Sequence, residues 1–233
     1  MTNETMIERI YEISGKLSAE DKCRFNTYVN DVDLTIGALE FNLDNLPLLL
    51  AKLLLDCEND LKYEVAKRNG SLSRLKAAEK FIKRAKSDIR EVLHGAWEDA
   101  ENRQCFCDGF SAYRLYDHLP IDPLNPNLEP VDLNRIVLRN TGAKLALPDI
   151  SALKVFIKKE KARLRAEKKG SSVIYHFGEN LPSVNAEFLL EALEILPGCE
   201  AFASREKPQL GAIYFKSNYG DGAVLPLRLK EGS

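Results

Sequence analysis

Two stretches of this chain repeat one order of elements, and that repeat narrows the possible folds more than any other feature. Leu75 to Leu115 and Asn185 to Leu229 each begin with an amphipathic helical stretch and continue through short strand-like runs. Each also places an Asp/Gly turn before its last strand, at Asp108-Gly109 and at Gly220-Asp221. In the first helix, Leu75, Ala78, Ile82, Ala85 and Ile89 share one stripe, while Arg74, Lys76, Lys80, Lys83, Arg84 and Lys86 fill much of the remainder. The second helix opens at Asn185 and ends near Leu196, before Pro197-Gly198. A helix buries one stripe and a strand one face. A duplicated helix-plus-strands unit therefore predicts an α+β fold, with helices on one face of antiparallel sheets.

The remaining elements follow from local signals. Val92 to Trp97, Gln104 to Cys107 and Ala112 to Leu115 read as strands in the first unit. Glu200 to Ser204, Ala212 to Lys216 and Val224 to Leu229 read as strands in the second. Residues 117–130 hold four prolines and read as a loop. Asp149 caps a helix expected to run to about Lys169, where Gly170 stops it, and Val173 to Phe177 reads as a further strand. Residues 1–70 read as an N-terminal helical region, with an excess of acids over residues 1–60 and a helix over Leu46 to Lys67. Asn69-Gly70-Ser71 marks the boundary, so the expected division is 1–70 and 71–233.

Composition limits the function classes. Of 233 residues, 45% are hydrophobic and 29% charged, enough apolar material for a substantial core, and the net charge of -2 selects no partner by itself. Met1 to Ser14 lacks the basic start and apolar run of a signal peptide, and the longest apolar run, Leu46 to Leu55, is too short to cross a bilayer. Five cysteines without framework spacing fit reduced thiols, so a cytoplasmic protein without membrane contact is expected. Cys105 and Cys107 share one face of a strand, and His94 or His118 would have to complete a metal site; no second Cys pair stands at zinc spacing, so buried thiols and no cofactor are expected. No acid–base pair, nucleophile motif or phosphate loop is present, which argues against an enzyme.

The run Val184 to Leu193, reading VNAEFLLEAL, resembles the last helix of the bacterial DNA polymerase III β sliding clamp family, where an Asn-led FNxxYLLDAL segment opens the final half-domain. Some thirty residues later that family ends in a strand reading MPMRL, and here Leu225-Pro226-Leu227-Arg228-Leu229 stands in its place. Cys107 to Leu115 is similar to the family's TDGxRLA hairpin with residues inserted, and Leu147-Pro148 before Asp149 resembles an LPxxxL helix start. The resemblance spans about residues 72–229 and is strongest over the final fifty. It implies a DNA-clamp-like fold of repeated halves in a shortened relative, of the sort expected on a phage or mobile element.

The resemblance also implies roles. Clamps line their hole with helices, and the Asp149 helix carries Lys154, Lys158, Lys159, Lys161, Arg163, Arg165, Lys168 and Lys169. Such a cluster meets phosphates by counterion release, giving sequence-independent contact with double-stranded DNA. A solvated basic helix that balances the acidic N-terminal region is the other reading. The acids Glu187, Glu191 and Glu194 on the Asn185 helix weigh against DNA. In the family the MPMRL strand helps line a pocket for peptides of replication proteins, and Leu225, Pro226, Leu227, Arg228 and Leu229 would be its counterpart. One such domain cannot encircle DNA, so a ring would need self-association. The expectation is a non-enzymatic, clamp-like replication accessory protein; the alternative is a protein–protein interaction module that keeps the fold without tracking DNA.

Overall fold

The computed structural model describes residues 58–135, 141–168 and 172–227. The chain divides into two compact units, Met1–Leu72 and Ser73–Ser233. In the first, the expected helices and acidic surface before residue 58 lie outside the described residues, and residues 58–68 are helical. Gly70, at φ +68, ends that helix, and the Ser71 N–H donates to the Ala66 carbonyl at 2.8 Å. A residue in the left-handed region is the usual way to close a helix end, and glycine adopts it without strain.

The second unit is α+β. Among its described residues three helices, α1 (Leu72–Ala85), α2 (Ile150–Ala166) and α3 (Ala186–Ile195), accompany nine strands. The strands are β1 (Trp97–Glu98), β2 (Gln104–Cys107), β3 (Ser111–Leu115), β4 (Thr141–Leu145), β5 (Ile174–His176), β6 (Ser183–Asn185), β7 (Glu200–Ser204), β8 (Ile213–Ser217) and β9 (Gly220–Val224). Seven form one antiparallel sheet in the order β1-β2-β3-β9-β8-β7-β4, and β5 pairs with β6 separately. The duplication is visible in that order. Units α1-β1-β2-β3 and α3-β7-β8-β9 meet at their last strands, so the sheet reads the same from either side of the β3–β9 pair except for β4, which extends one edge.

Strand alternation sorts the sheet's side chains onto two faces. The row Phe106, Tyr113, Gly222, Phe215 runs across β2, β3, β9 and β8 on the helix side. Phe81 of α1 packs edge-on against Phe106 and Tyr113, with ring centroids 5.2 and 5.4 Å away. Phe81, Phe106, Tyr113 and Phe215 are all fully buried. Each such phenylalanine contributes about 1.5–3 kcal/mol relative to exposure. Gly222 makes room for the cluster, because a Cβ there would sit 2.7 Å from the Tyr113 ring.

The next row, Arg114, Asp221, Lys216, Glu200, lies on the opposite face. Arg114 grips Asp221 through two hydrogen bonds of 3.0 and 2.7 Å and reaches Asn134 at 2.8 Å. At the start of β2, the Gln104 side chain both donates to and accepts from the Leu119 backbone, at 2.8 and 2.9 Å. It acts as a surrogate strand that fastens the proline-rich loop.

Three expectations are corrected. The α1 stripe stops at Ala85, where Ser87 and Asp88 N–H groups close the helix on Arg84 and Ala85, and Ile89 is 96% exposed rather than apolar core. Val92 to Trp97 is mostly not a strand: a 3-10 turn (Glu91–Leu93) precedes β1, and between them Gly95 packs against Pro123 too closely for any Cβ. The last strand is Gly220–Val224, not Val224 to Leu229, and its turn is at residues 217–220. Gly220-Asp221 is thus inside the strand, where Asp221 serves the ion pair and Gly222 the aromatic cluster.

Removing one partner from a buried ion pair strands the other charge. Arg114→Met should therefore cost about 3–5 kcal/mol in urea unfolding, and adding Asp221→Leu should recover most of that loss. A double variant no more stable than Arg114→Met would contradict this account of the β3–β9 seam.

Candidate functional site

The expected DNA-contacting residues lie on α2, whose start is fixed by Asp149: its carboxylate accepts from the Ser151 and Ala152 N–H groups at 2.8 and 3.1 Å. Leu153 and Ile157 are buried and set which faces remain outside. Spacing then divides the cations. Lys154, Lys158, Lys161 and Arg165 recur every three or four residues along one edge, and Lys159 and Arg163 occupy the other. Lys168 follows the helix in a left-handed conformation at φ 52. Lys169 lies outside the described residues.

The first edge faces α3. Lys154 pairs with Glu194 at 2.7 Å and Lys161 with Glu187 at 2.6 Å, so α2 and α3 run antiparallel. Between them is a groove of about 450 Å³ lined by Lys154, Ile157, Lys158, Lys161, Arg165 and Leu190. Arg163 bonds Glu160 and Glu167 on its own helix, at 2.7 and 3.2 Å. Among the described residues, Lys158, Lys159, Arg165 and Lys168 have no carboxylate partner.

The third acid of α3 is held from the other side. Arg84 of α1 donates to both Glu191 oxygens at 2.7 and 2.8 Å and to Asp108 at 2.6 and 2.8 Å. Both carboxylates are 3% exposed and the guanidinium 30%. Burial opposes the Arg84 charge, yet Glu191 and Asp108 together hold it firmly protonated. Burial also pushes the Glu191 carboxyl up, and Arg84 partly offsets this. Every acid of α3 is thus answered by a cation from a flanking helix. The objection that this acidic helix would repel DNA loses its force.

One further group stands in the sequence only as the polar side of the first helix, with no site role assigned. Lys76, Lys80 and Lys83 are exposed along a single stripe of α1, and among the described residues none has a carboxylate partner. Their helical spacing was visible; their neighbourhood with α2 across α3 was not. From the helix sequences, α1 carries a net +4, α2 +5 and α3 −3, so the three helices together carry +6. The whole chain carries -2.

The segment expected to bind a peptide is not a strand over its described residues. Leu225-Pro226-Leu227 follows β9 without extending it, and Arg228 and Leu229 lie outside the described residues. The Leu225 N–H donates to the Phe110 carbonyl and the Leu227 N–H to the Ser183 carbonyl, each at 2.8 Å. The segment therefore passes from the large sheet to β6.

No protein-family model, curated protein or solved structure matches the chain. The site must be judged on its own chemistry. Among the described residues no three His, Cys, Asp or Glu side chains gather as a metal site, and no helix is long and apolar enough to cross a membrane. Cys105 and Cys107 are buried, and burial pushes their thiols up to about 12 and about 11. His94 bonds the Asp88 carbonyl and His118 lies 3.2 Å from Glu98, so each histidine is engaged elsewhere.

Arg84→Met leaves Glu191 and Asp108 buried without their cation, at a cost of about 3 kcal/mol, the lower end for a partly exposed pair. A carboxyl raised in the native state stabilises the fold below its unfolded value and loses that contribution as pH rises through the native one. Urea unfolding should therefore show a smaller deficit for Arg84→Met at pH 5 than at pH 7. Equal deficits at both pH values would count against the assignment.

Proposed function

We propose that this chain is a non-enzymatic, sliding-clamp-like accessory protein of DNA replication that holds DNA by its phosphates across the α1–α3–α2 helix face. One observation carries the reading: the acids of α3 are all neutralised by flanking cations, while Lys158, Lys159 and Arg165 keep their charges unshared. Phosphates approaching that face release counterions and meet no uncompensated carboxylate on α3. The clamp-like reading of the fold is supported by two α-β-β-β units meeting at their last strands with α1 and α3 on one side. Encircling DNA on this reading requires several copies to associate.

A second reading, capture of a replication-protein peptide at the Leu225–Leu229 segment, is favoured by one feature. Leu225 is 46% exposed and Phe110, bonded to it through the backbone, is 56% exposed. That reading calls for no DNA affinity at all.

Salt dependence separates the two. Binding to a duplex of arbitrary sequence should fall linearly on a log–log plot, with a slope of about −0.9 per phosphate neutralised. Replacing Lys158, Lys159 and Arg165 together by Gln should make the slope shallower by about 2–3. Arg163→Gln should change it little, because two carboxylates already share that charge. No duplex binding at roughly 50 mM salt would overturn the DNA reading.

A further inference from the structure

The β2–β3 turn presents an aromatic ring to solvent. Phe110 is 56% exposed, yet its backbone is fixed on both sides. Asp108 accepts from the Phe110 and Ser111 N–H groups at 2.9 and 2.7 Å, and the Phe110 carbonyl accepts from Leu225 at 2.8 Å. The ring leans on Phe188 of α3, with centroids 6.0 Å apart and planes 34° apart. Arg84 lies over that second ring at 4.5 Å. One helical turn back along α1 is Lys80, whose charge acts on Glu191, and Lys76 and Lys83 share its exposed stripe. The outward ring is thus linked through Phe188 and Arg84 to the helix that carries the exposed Lys76, Lys80 and Lys83.

We infer that Phe110, braced by Phe188, is a stacking platform for an unpaired base of single-stranded DNA whose phosphates follow the Lys76–Lys80–Lys83 stripe. Aromatic surfaces flanked by cations bind single strands because every base has a π-face, whereas a duplex keeps its base faces covered. An apolar protein segment suits the platform less well. The helix linked to it, α1, carries three exposed lysines, and lysine is depleted from protein interfaces. The inference rests on the DNA reading of the helix face and adds to it a discrimination between strands.

The test measures fluorescence anisotropy of the full chain with oligo-dT and with a duplex of equal length, across a salt series. Phe110→Ala should weaken oligo-dT binding at least about fivefold and leave duplex binding and both salt slopes unchanged. Phe110→Trp should retain or strengthen oligo-dT binding, with circular dichroism showing both variants folded. Unchanged oligo-dT binding by Phe110→Ala, or equal loss on both DNAs, would overturn the platform while leaving the phosphate reading intact, and would turn the patch over to a protein partner. Wild-type protein binding neither DNA would overturn both.

Discussion

The arrangement depends on one guanidinium. Arg84 bonds Asp108 at the β2–β3 turn and Glu191 on α3 at once, so it fixes α1 against both the sheet and the neighbouring helix. Without it, two carboxylates at 3% exposure would lie close together with no cation, an arrangement that burial makes costly. Its position follows from the aromatic packing beneath it: Phe81, three residues earlier, is locked between Phe106 and Tyr113 and sets the rotation of α1. The same rotation turns Lys76, Lys80 and Lys83 outward. Core packing, helix register and surface charge are thus consequences of a single placement.

That coupling explains how a chain with a formal charge of -2 carries a helix face of opposite sign. The α3 acids serve as internal counterions. Glu191 is spent on Arg84, while Glu187 and Glu194 orient Lys161 and Lys154 along the α2–α3 groove. These exposed pairs add little stability, of order 0–1 kcal/mol each. Their effect is on the field: they remove the negative ridge that would otherwise run between two basic helices. On the opposite face of the sheet, Arg114 and Asp221 satisfy one another, and Lys144 and Glu200 pair at 2.6 Å.

Much of the fold was legible in the sequence. The periodic stripe Leu75, Ala78, Ile82, Ala85 and the caps at Asp149 and Asn185 each encode their element locally, and the repeat of helix and strands announced the paired units. What was not legible depended on partners distant in the chain. Asp221 and Gly222 have turn chemistry, but Arg114 and Tyr113, more than a hundred residues earlier, make them strand residues. Ile89 fits the apolar stripe, yet Ser87 and Asp88 end the helix before it. The cations of α2 were evident as a list; which of them are shared with carboxylates required α3 to be set beside them. The same holds for Phe110, an ordinary turn residue until Phe188 and Arg84 arrive next to it.

The proposed function has the α1–α3–α2 face, and not the opposite face of the sheet, meet DNA. Lysine acetylation footprinting, read by mass spectrometry with and without saturating DNA, addresses it residue by residue. Lys76, Lys80, Lys83, Lys158 and Lys159 should be protected by DNA, while Lys144 and Lys216 acetylate equally in both samples. Protection of Lys144 and Lys216 with the helix lysines unchanged would contradict the account.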